Sequence, residues 1–361
     1  MPSSSSTPPL LIAPSPHLGR LPPPPWKVLV TGATGHIGSN LVRALQAAGH
    51  HVRAGIHERP LTCAPAWAAG GGAAGAAIEL VPLDVCDAAS LEPAVQGVDL
   101  VYHLAARISI VGPEGGLVER TNVAGSRHVA RACLRAGVRR LVHFSSVHAF
   151  RHRPDGVPLT VDSPRANHPS DGAYDFSKFR GEEEVRAAIA DGLDAVILNP
   201  AGVLGPRDEQ PSRMGQVFLD LQRRRMPAMV AGGFCWVDVR DVVAAALAAA
   251  QGGRRARSYL LAGRWASTAE LAALWSQVSG VAAPRFTCPM WLARAVAPGA
   301  LRWSRLMRSS AKLTPEGLRA LRLGCRRVDC RDAERDLGFR ARPLEETIAD
   351  TYAWLRDERL L

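Results

Sequence analysis

The sequence predicts an α/β fold: a doubly wound parallel sheet followed by a smaller C-terminal region. Three observations predict it. Lys27–Thr31 is a short apolar run that breaks into glycines, followed by an apolar-periodic stretch and a second apolar run. Strand-like and helix-like segments then alternate for roughly 170 residues. After Pro200 the alternation loosens.

The elements follow in order. Lys27-Val28-Leu29-Val30-Thr31 reads as a buried parallel strand. Gly32 to Gly38 forms a turn, a helix runs from there to about Ala48, and Gly49 ends it. Val52–Ile56 is the second strand. Residues 63–77 are Ala/Gly-rich and read as a surface loop. Ile78–Pro82 is the third strand, ending at Asp84. A helix over Asp87–Gln96 follows, with Asp87 as its better-placed cap. Asp99–Leu104 is the fourth strand, and a long helix spans 117–136. Val138–Ser145 is the fifth strand. The helix carrying Tyr174 and Lys178 runs to about Ala190, and Ala195–Leu198 is the sixth strand, stopped by Asn199-Pro200. Beyond it, helices are expected at 212–225, 238–251, 267–279 and 345–356, with short strands near Tyr259–Ala262 and Ala228–Ala231. Residues 26–200 are thus read as a dinucleotide-binding Rossmann domain. Residues 201–361 are read as a substrate-binding and lid region that partly returns to the sheet. Residues 1–25, rich in Ser and Pro, read as a disordered leader without the pattern of a secretory signal.

Composition narrows the function classes. The formal charge is +11. Of the basic residues only Lys27, Lys178 and Lys312 are lysines, and no basic block with interleaved aromatics suggests a nucleic-acid groove. The seven cysteines form no C-x-x-C pair, so neither a disulfide framework nor a zinc site is indicated. His143, His148, His152 and His168 lack metal-ligand spacing, and no metal is expected. No apolar run is long enough for a transmembrane helix. The expected location is the cytoplasm.

The chemistry sits at the C-terminal ends of the strands. Gly32, Gly35 and Gly38 are spaced G-x-x-G-x-x-G, which lets a backbone approach a pyrophosphate, and the helix from His36 offers its N-terminal amides. At the end of the second strand no Asp is present to bind a ribose hydroxyl. His57 occupies that position, flanked by Glu58 and Arg59, which leans toward NADP rather than NAD. Asp84-Val85 is placed to meet the adenine, and Leu104-Ala105-Ala106 is small enough to let the cofactor lie close. The step from Tyr174 to Lys178 puts a phenol and an ammonium one turn apart. A cation there is expected to lower the Tyr174 pKa.

Taken together these segments resemble the extended short-chain dehydrogenase/reductases, the NAD-dependent epimerase/dehydratase group. The resemblance rests on Thr31–Gly38, Asp84-Val85, His103–Ala106, Ser145-Ser146, Tyr174-x-x-x-Lys178 and Asn199–Pro206, in this order, and covers about residues 26–355. Within the group the chain most resembles dihydroflavonol-4-reductase-like members, which border on 3β-hydroxysteroid dehydrogenase-like ones. The resemblance implies a catalytic Ser, Tyr and Lys, often with an Asn. Tyr174 and Lys178 match directly. Counting back from Phe150 gives Ser146 as the serine and Ser145 as its cofactor-side neighbour. Asn122 matches the helix asparagine. The cofactor-binding set is then Gly32, Thr34, Gly35, His36, Ile37, Gly38, His57, Asp84, Val85, Leu104, Ala105, Ala106, Ser145, Tyr174, Lys178, Pro200 and Val203.

The expected activity is NAD(P)-dependent hydride transfer to or from a carbonyl/hydroxyl carbon of a fairly apolar small molecule. A sugar-nucleotide epimerase or dehydratase, with Arg207 and Arg213 as a diphosphate clamp, is the alternative. A non-catalytic nucleotide-binding scaffold is a second. Pro211–Met214 and Phe234–Val239 are candidate substrate walls, with Trp236 as readily a core residue. Residues 289–308 mix Trp291, Leu292, Trp303, Leu306 and Met307 with arginines. They read as a lid in preference to a membrane-surface contact. The resemblance also implies a possible homodimer through the helices near 117–136 and 172–190.

Overall fold

The computed structural model describes residues 24–57, 78–152, 156–306 and 313–361. The leader before residue 24, the 63–77 segment, and Glu58, Arg59, Met307 and Arg308 lie outside the described residues, as do the side chains of Trp303, Arg305 and Leu306.

The core is a seven-stranded sheet whose paired strands are all parallel. It uses β1 (Lys27–Thr31), β2 (His51–Ile56), β3 (Ile78–Pro82), β4 (Leu100–His103), β5 (Arg140–Phe144), β6 (Ala195–Pro200) and β10 (Ser258–Leu261) in the order β10-β6-β5-β4-β1-β2-β3. The chain reverses its winding direction between β1 and β4, so a crevice opens at their C-terminal ends. Parallel strands covered on both faces must be apolar throughout, which is why Val28 to Val30 and Ala195 to Leu198 are wholly buried.

One face is covered by α1 (His36–Ala47), α6 (Val239–Gly252) and α10 (Arg331–Leu337). The other is covered by α2 (Ala88–Val95), α3 (Gly125–Ala136) and α4 (Ala173–Ala190). Asp87 caps α2 by accepting from the Ala89 amide at 3.0 Å. Gly49, at φ +82°, ends α1 in the left-handed region where glycine carries no steric cost.

Two expectations need correction, and one open choice is decided. β6 does not stop at Leu198 but runs through Asn199 to Pro200, which pairs with Leu261 of β10. Proline is tolerated there because it is the last strand residue, and the next amide, Ala201 N, resumes the ladder with the Leu261 carbonyl at 2.9 Å. The long helix over 117–136 is not uniform: Arg120–Ala124 is π-helical between an α-turn at Leu117–Glu119 and α3. Trp236 is a core residue, 3% exposed, with its indole N–H donating to the Ala266 carbonyl at 3.1 Å.

The C-terminal region adds a three-stranded sheet of β7 (Gly202–Leu204), β9 (Gly233–Asp238) and β11 (Trp265–Ser267), in the order β11-β9-β7. A two-stranded pair joins β8 (Ala228–Val230) and β12 (Phe286–Cys288). Around these pack α5 (Arg213–Gln222), α7 (Thr268–Ser279) and α11 (Leu344–Asp357). α8 (Met290–Leu306) packs on α9 (Pro315–Leu323) through Ala293, Ala297 and Leu318, while Trp291 stands 71% exposed. α9 in turn reaches the sheet domain. Glu316 accepts from the Gly112 amide at 2.8 Å and from the Ala173 amide, at the head of α4, at 3.5 Å.

Candidate active site

The turn after β1 is built on backbone contact. Gly32 has φ +69°, and a Cβ placed on it would lie 2.7 Å from the Ala105 amide nitrogen. A Cβ on Gly38 would lie 2.1 Å from the Gly32 carbonyl oxygen. Only glycine lets the start of α1, the turn and the end of β4 close on one another. Ala105 and Ala106 keep that wall low. These features leave a cradle open at the C-terminal end of β1, with the N-terminus of α1 at its floor, a place where backbone amides can meet an anion. Above the turn, His36 Nε2 bonds the Pro206 carbonyl at 3.2 Å, and the Asn40 side-chain amide donates to the Pro206 and Arg207 carbonyls, each at 3.4 Å. The first loop of the C-terminal region is thereby fastened over α1, near Val203.

At the far end of the crevice His57 Nε2 stands 3.4 Å from Asp84 Oδ2, so two candidates from separate strands meet there. Val85 differs. Its side chain is buried against Gly125, and its carbonyl accepts from His128 at 3.0 Å, so Asp84 alone of that pair stands partly exposed beside His57.

Tyr174 and Lys178 lie one turn apart on the first half of α4, and Ser146 follows β5 as the cap of a short turn, accepting from the His148 amide at 3.2 Å. The Ser146 hydroxyl donates to the Pro200 carbonyl at 3.4 Å, and it stands beside the Tyr174 phenol, where it favours the ionised form. Ser145 Oγ, its neighbour, is buried without a hydrogen-bond partner among the described residues. Ser146 is therefore the serine that faces Tyr174.

The expected lowering of the Tyr174 pKa is not what this arrangement produces. Burial pushes the phenol up; the Ser146 hydroxyl lowers it, and the Asp175 charge raises it again. The Lys178 ammonium is directed to the Phe144 carbonyl at 2.8 Å instead. Spacing put the two groups on one face, but desolvation outweighs a charge whose donors are aimed elsewhere. Lys178 itself is 5% exposed, and burial holds its pKa down at about 8 against the opposing pull of Glu182.

The sequence reading missed two supporting networks. Glu182, fully buried one turn beyond Lys178, pairs with Arg165 and accepts from the Asn199 amide at 2.6 Å. Its spacing of four from Lys178 was the available signal. The second network runs across the crevice. The Leu104 and Ala105 amides both donate to Thr31 Oγ1 at 3.2 Å, and Thr31 Oγ1 meets His103 Nδ1 at 2.8 Å. His103 Nε2 meets Ser126 Oγ at 3.3 Å, and Ser126 donates to the Asn122 carbonyl at 2.7 Å. The Asn122 side-chain amide donates to Ser177 Oγ at 2.8 Å, and Ser177 donates to the Tyr174 carbonyl at 2.7 Å. Burial, with the Lys178 charge behind it, lowers the His103 pKa to about 3, so the ring is neutral. The Ser126 proton is committed to Asn122, which puts the imidazole proton on Nε2. Asn122 further clamps Arg107, accepting from its amide at 2.7 Å and donating to its carbonyl at 3.0 Å. It reaches the Lys178 helix through Ser177, from within the π-helical turn.

Of the two candidate clamp arginines, Arg213 reaches the loop after β4, donating to the Ile108 carbonyl at 3.3 Å. Arg207 offers its own carbonyl to Asn40 at 3.4 Å. No group of three His, Cys, Asp or Glu side chains among the described residues could hold a metal. No helix among them is long and apolar enough to cross a membrane.

Residues 28–262 match the NAD dependent epimerase/dehydratase family. "Sterol demethylase protein B" of Methylococcus capsulatus is 34% identical over 335 residues, covering 92% of this chain and 99% of that protein. A Synechocystis protein, "Putative dihydroflavonol 4-reductase", is 31% identical over 340 residues, covering 91% of this chain and 94% of its own. The crystal structure of gox2253 superposes with a TM-score of 0.76 at 32% identity, covering 92% of this chain and 98% of that one. The chain belongs to the NAD-dependent epimerase/dehydratase family.

Proposed function

We propose that the protein is an NAD(P)-dependent oxidoreductase that interconverts a carbonyl and a hydroxyl group on a fairly apolar small molecule. One observation carries this reading: Ser146, at the C-terminal end of β5, is set against Tyr174, which lies one helical turn from Lys178 on α4. NAD(P), when bound, supplies or accepts the hydride. The residues of the chain do the rest. Tyr174 gives a proton to, or takes one from, the substrate oxygen. Ser146 donates a hydrogen bond to that oxygen and polarises it. Lys178 holds the nicotinamide ribose, and Asn122 fixes the catalytic helix through Ser177.

An apolar substrate is supported by Ile108 and Val111, which stand 55% and 38% exposed on the loop after β4. NADP is the preferred cofactor in this reading, because β2 ends at Ile56 and His57, not a carboxylate, follows it. A dimer, if formed through α3 and α4, docks on a face already tied together by Arg127–Glu184 and Arg131–Asp191. The test is a thermal-shift screen with NAD and NADP, then a panel of ketones, aldehydes and nucleotide sugars followed by nicotinamide absorbance. Net turnover of a ketone or aldehyde is expected. Activity on nucleotide sugars with no net cofactor turnover would assign an epimerase instead.

A further inference from the structure

Two imidazoles beside the site have no part in the mechanism above. His148 lies two residues beyond Ser146, and its backbone amide donates to the Ser146 hydroxyl at 3.2 Å. Its Nδ1 is 3.0 Å from Oδ1 of Asp175, the residue that follows Tyr174 in the first turn of α4. The His148 ring meets the Tyr174 ring edge-on, at 5.6 Å and 62°. On another side it stacks on His152, at 4.9 Å and 18°. His152 is itself fixed by a 2.9 Å bond to the Val147 carbonyl.

We propose that His148, held by Asp175, is a positioning residue for Tyr174 whose charge sets the pH range over which that phenol exchanges its proton. The geometry leaves the imidazole little freedom: Asp175 holds one nitrogen, and Tyr174 and His152 confine the ring. A cation against the tyrosine ring favours the phenolate. The remaining side is a cavity lined also by Arg151, Asp171, Arg319 and Leu323. Of the groups facing His148, Asp175 favours its charged form, while Arg319 and burial oppose it. Burial is the largest single effect, but the carboxylate's charge and hydrogen bond together outweigh it, and the net direction is upward from 6.5. His152 stays neutral, lowered to about 4 chiefly by burial. Arg151 is engaged by Asp171 at 3.0 Å.

The inference rests on Tyr174 being the proton-exchanging group, but its test needs no turnover. The chain has four tyrosines, so tyrosine labelled with 13C at Cζ gives four signals, and Tyr174→Phe identifies the one sought. In the unmodified protein the Tyr174 signal is expected to inflect with a midpoint above 6.5. His148→Gln, which keeps a hydrogen-bonding side chain without a titrating charge, is expected to abolish the inflection. Asp175→Asn, which leaves burial and Arg319 to act alone, is expected to move it to lower pH. A Tyr174 signal that is flat across neutral pH overturns the proposal. So does an inflection that survives His148→Gln or stays in place in Asp175→Asn. Should His148→Gln fail to fold, the Asp175→Asn arm decides alone. A failure of the oxidoreductase reading shows separately, as unchanged turnover in Tyr174→Phe.

Discussion

Gly181 offers a direct test of how the fold positions the candidate site. It lies on α4, less than one turn beyond Lys178, where the helix crosses the π-helical turn. A Cβ there would lie 2.4 Å from the Asn122 carbonyl oxygen and 3.2 Å from Ser126 Oγ. Ordinary contact begins near 3.4 Å, so Gly181→Ala forces α4 and the Asn122 segment apart by about 1 Å. The obstructing atom is backbone, and it already accepts from Ser126, so it has little room to yield. Overpacking of this kind costs about 1–3 kcal/mol, offset by about 1 kcal/mol of improved helix propensity. The fold should survive with a melting temperature lowered by only a few degrees. The chemistry should not survive as well. Tyr174 and Lys178 ride on the displaced helix, and a shift of about 1 Å in a reacting group costs on the order of 100-fold in rate. The glycine cradle belongs to β1 and α1 and stays in place, while Lys178 moves with α4, so cofactor affinity should fall by no more than about tenfold, well short of the loss in turnover. Steady-state kinetics, cofactor titration calorimetry and thermal melting measure the three quantities. A Gly181→Ala enzyme with unmodified kcat/KM, or one that loses cofactor binding and turnover equally, would refute the reasoning.

Four further outcomes are expected. Tyr174→Phe should lower turnover by roughly two or more powers of ten with cofactor affinity retained. Glu182→Gln removes the carboxylate that supports the Lys178 ammonium. Lys178 is charged below about 8 and loses its charge as the pH rises through that value, so the alkaline fall in kcat/KM should move to lower pH. The pH–rate profiles of the two proteins check this. His57→Asp places a carboxylate at the end of β2, beside Asp84, and should weaken NADP by at least about tenfold relative to NAD in calorimetric titrations. His103→Leu leaves the Thr31 hydroxyl and Ser126 without their shared partner, and should destabilise the fold by about 1–3 kcal/mol in urea titrations.

Much of the fold was legible from local pattern. Apolar runs located the strands of the parallel sheet to within a few residues, because a strand buried on both faces must be apolar at every position. Helices α5, α6, α7 and α11 were found in the same way. Strands β7, β9, β11 and β12 were missed, since three of them span only three residues and none follows a regular alternation. The π-helical turn at Asn122 carries no sequence mark: it forms where Gly181 lets α4 close on that segment.

The same division holds at the site. The sequence by itself determined which residues stand on one face or at one strand end, including the glycine cradle and the spacing from Tyr174 to Lys178, because these follow from the repeat of a helix and the reach of a turn. Tertiary structure alone decided what those groups feel. It faced Ser146 rather than Ser145 toward Tyr174, drew the Lys178 ammonium to the Phe144 carbonyl, and set His148 and Asp175 beside the phenol. Desolvation and the aim of each hydrogen-bond donor depend on every element packed around a group, and spacing along one helix carries no record of them.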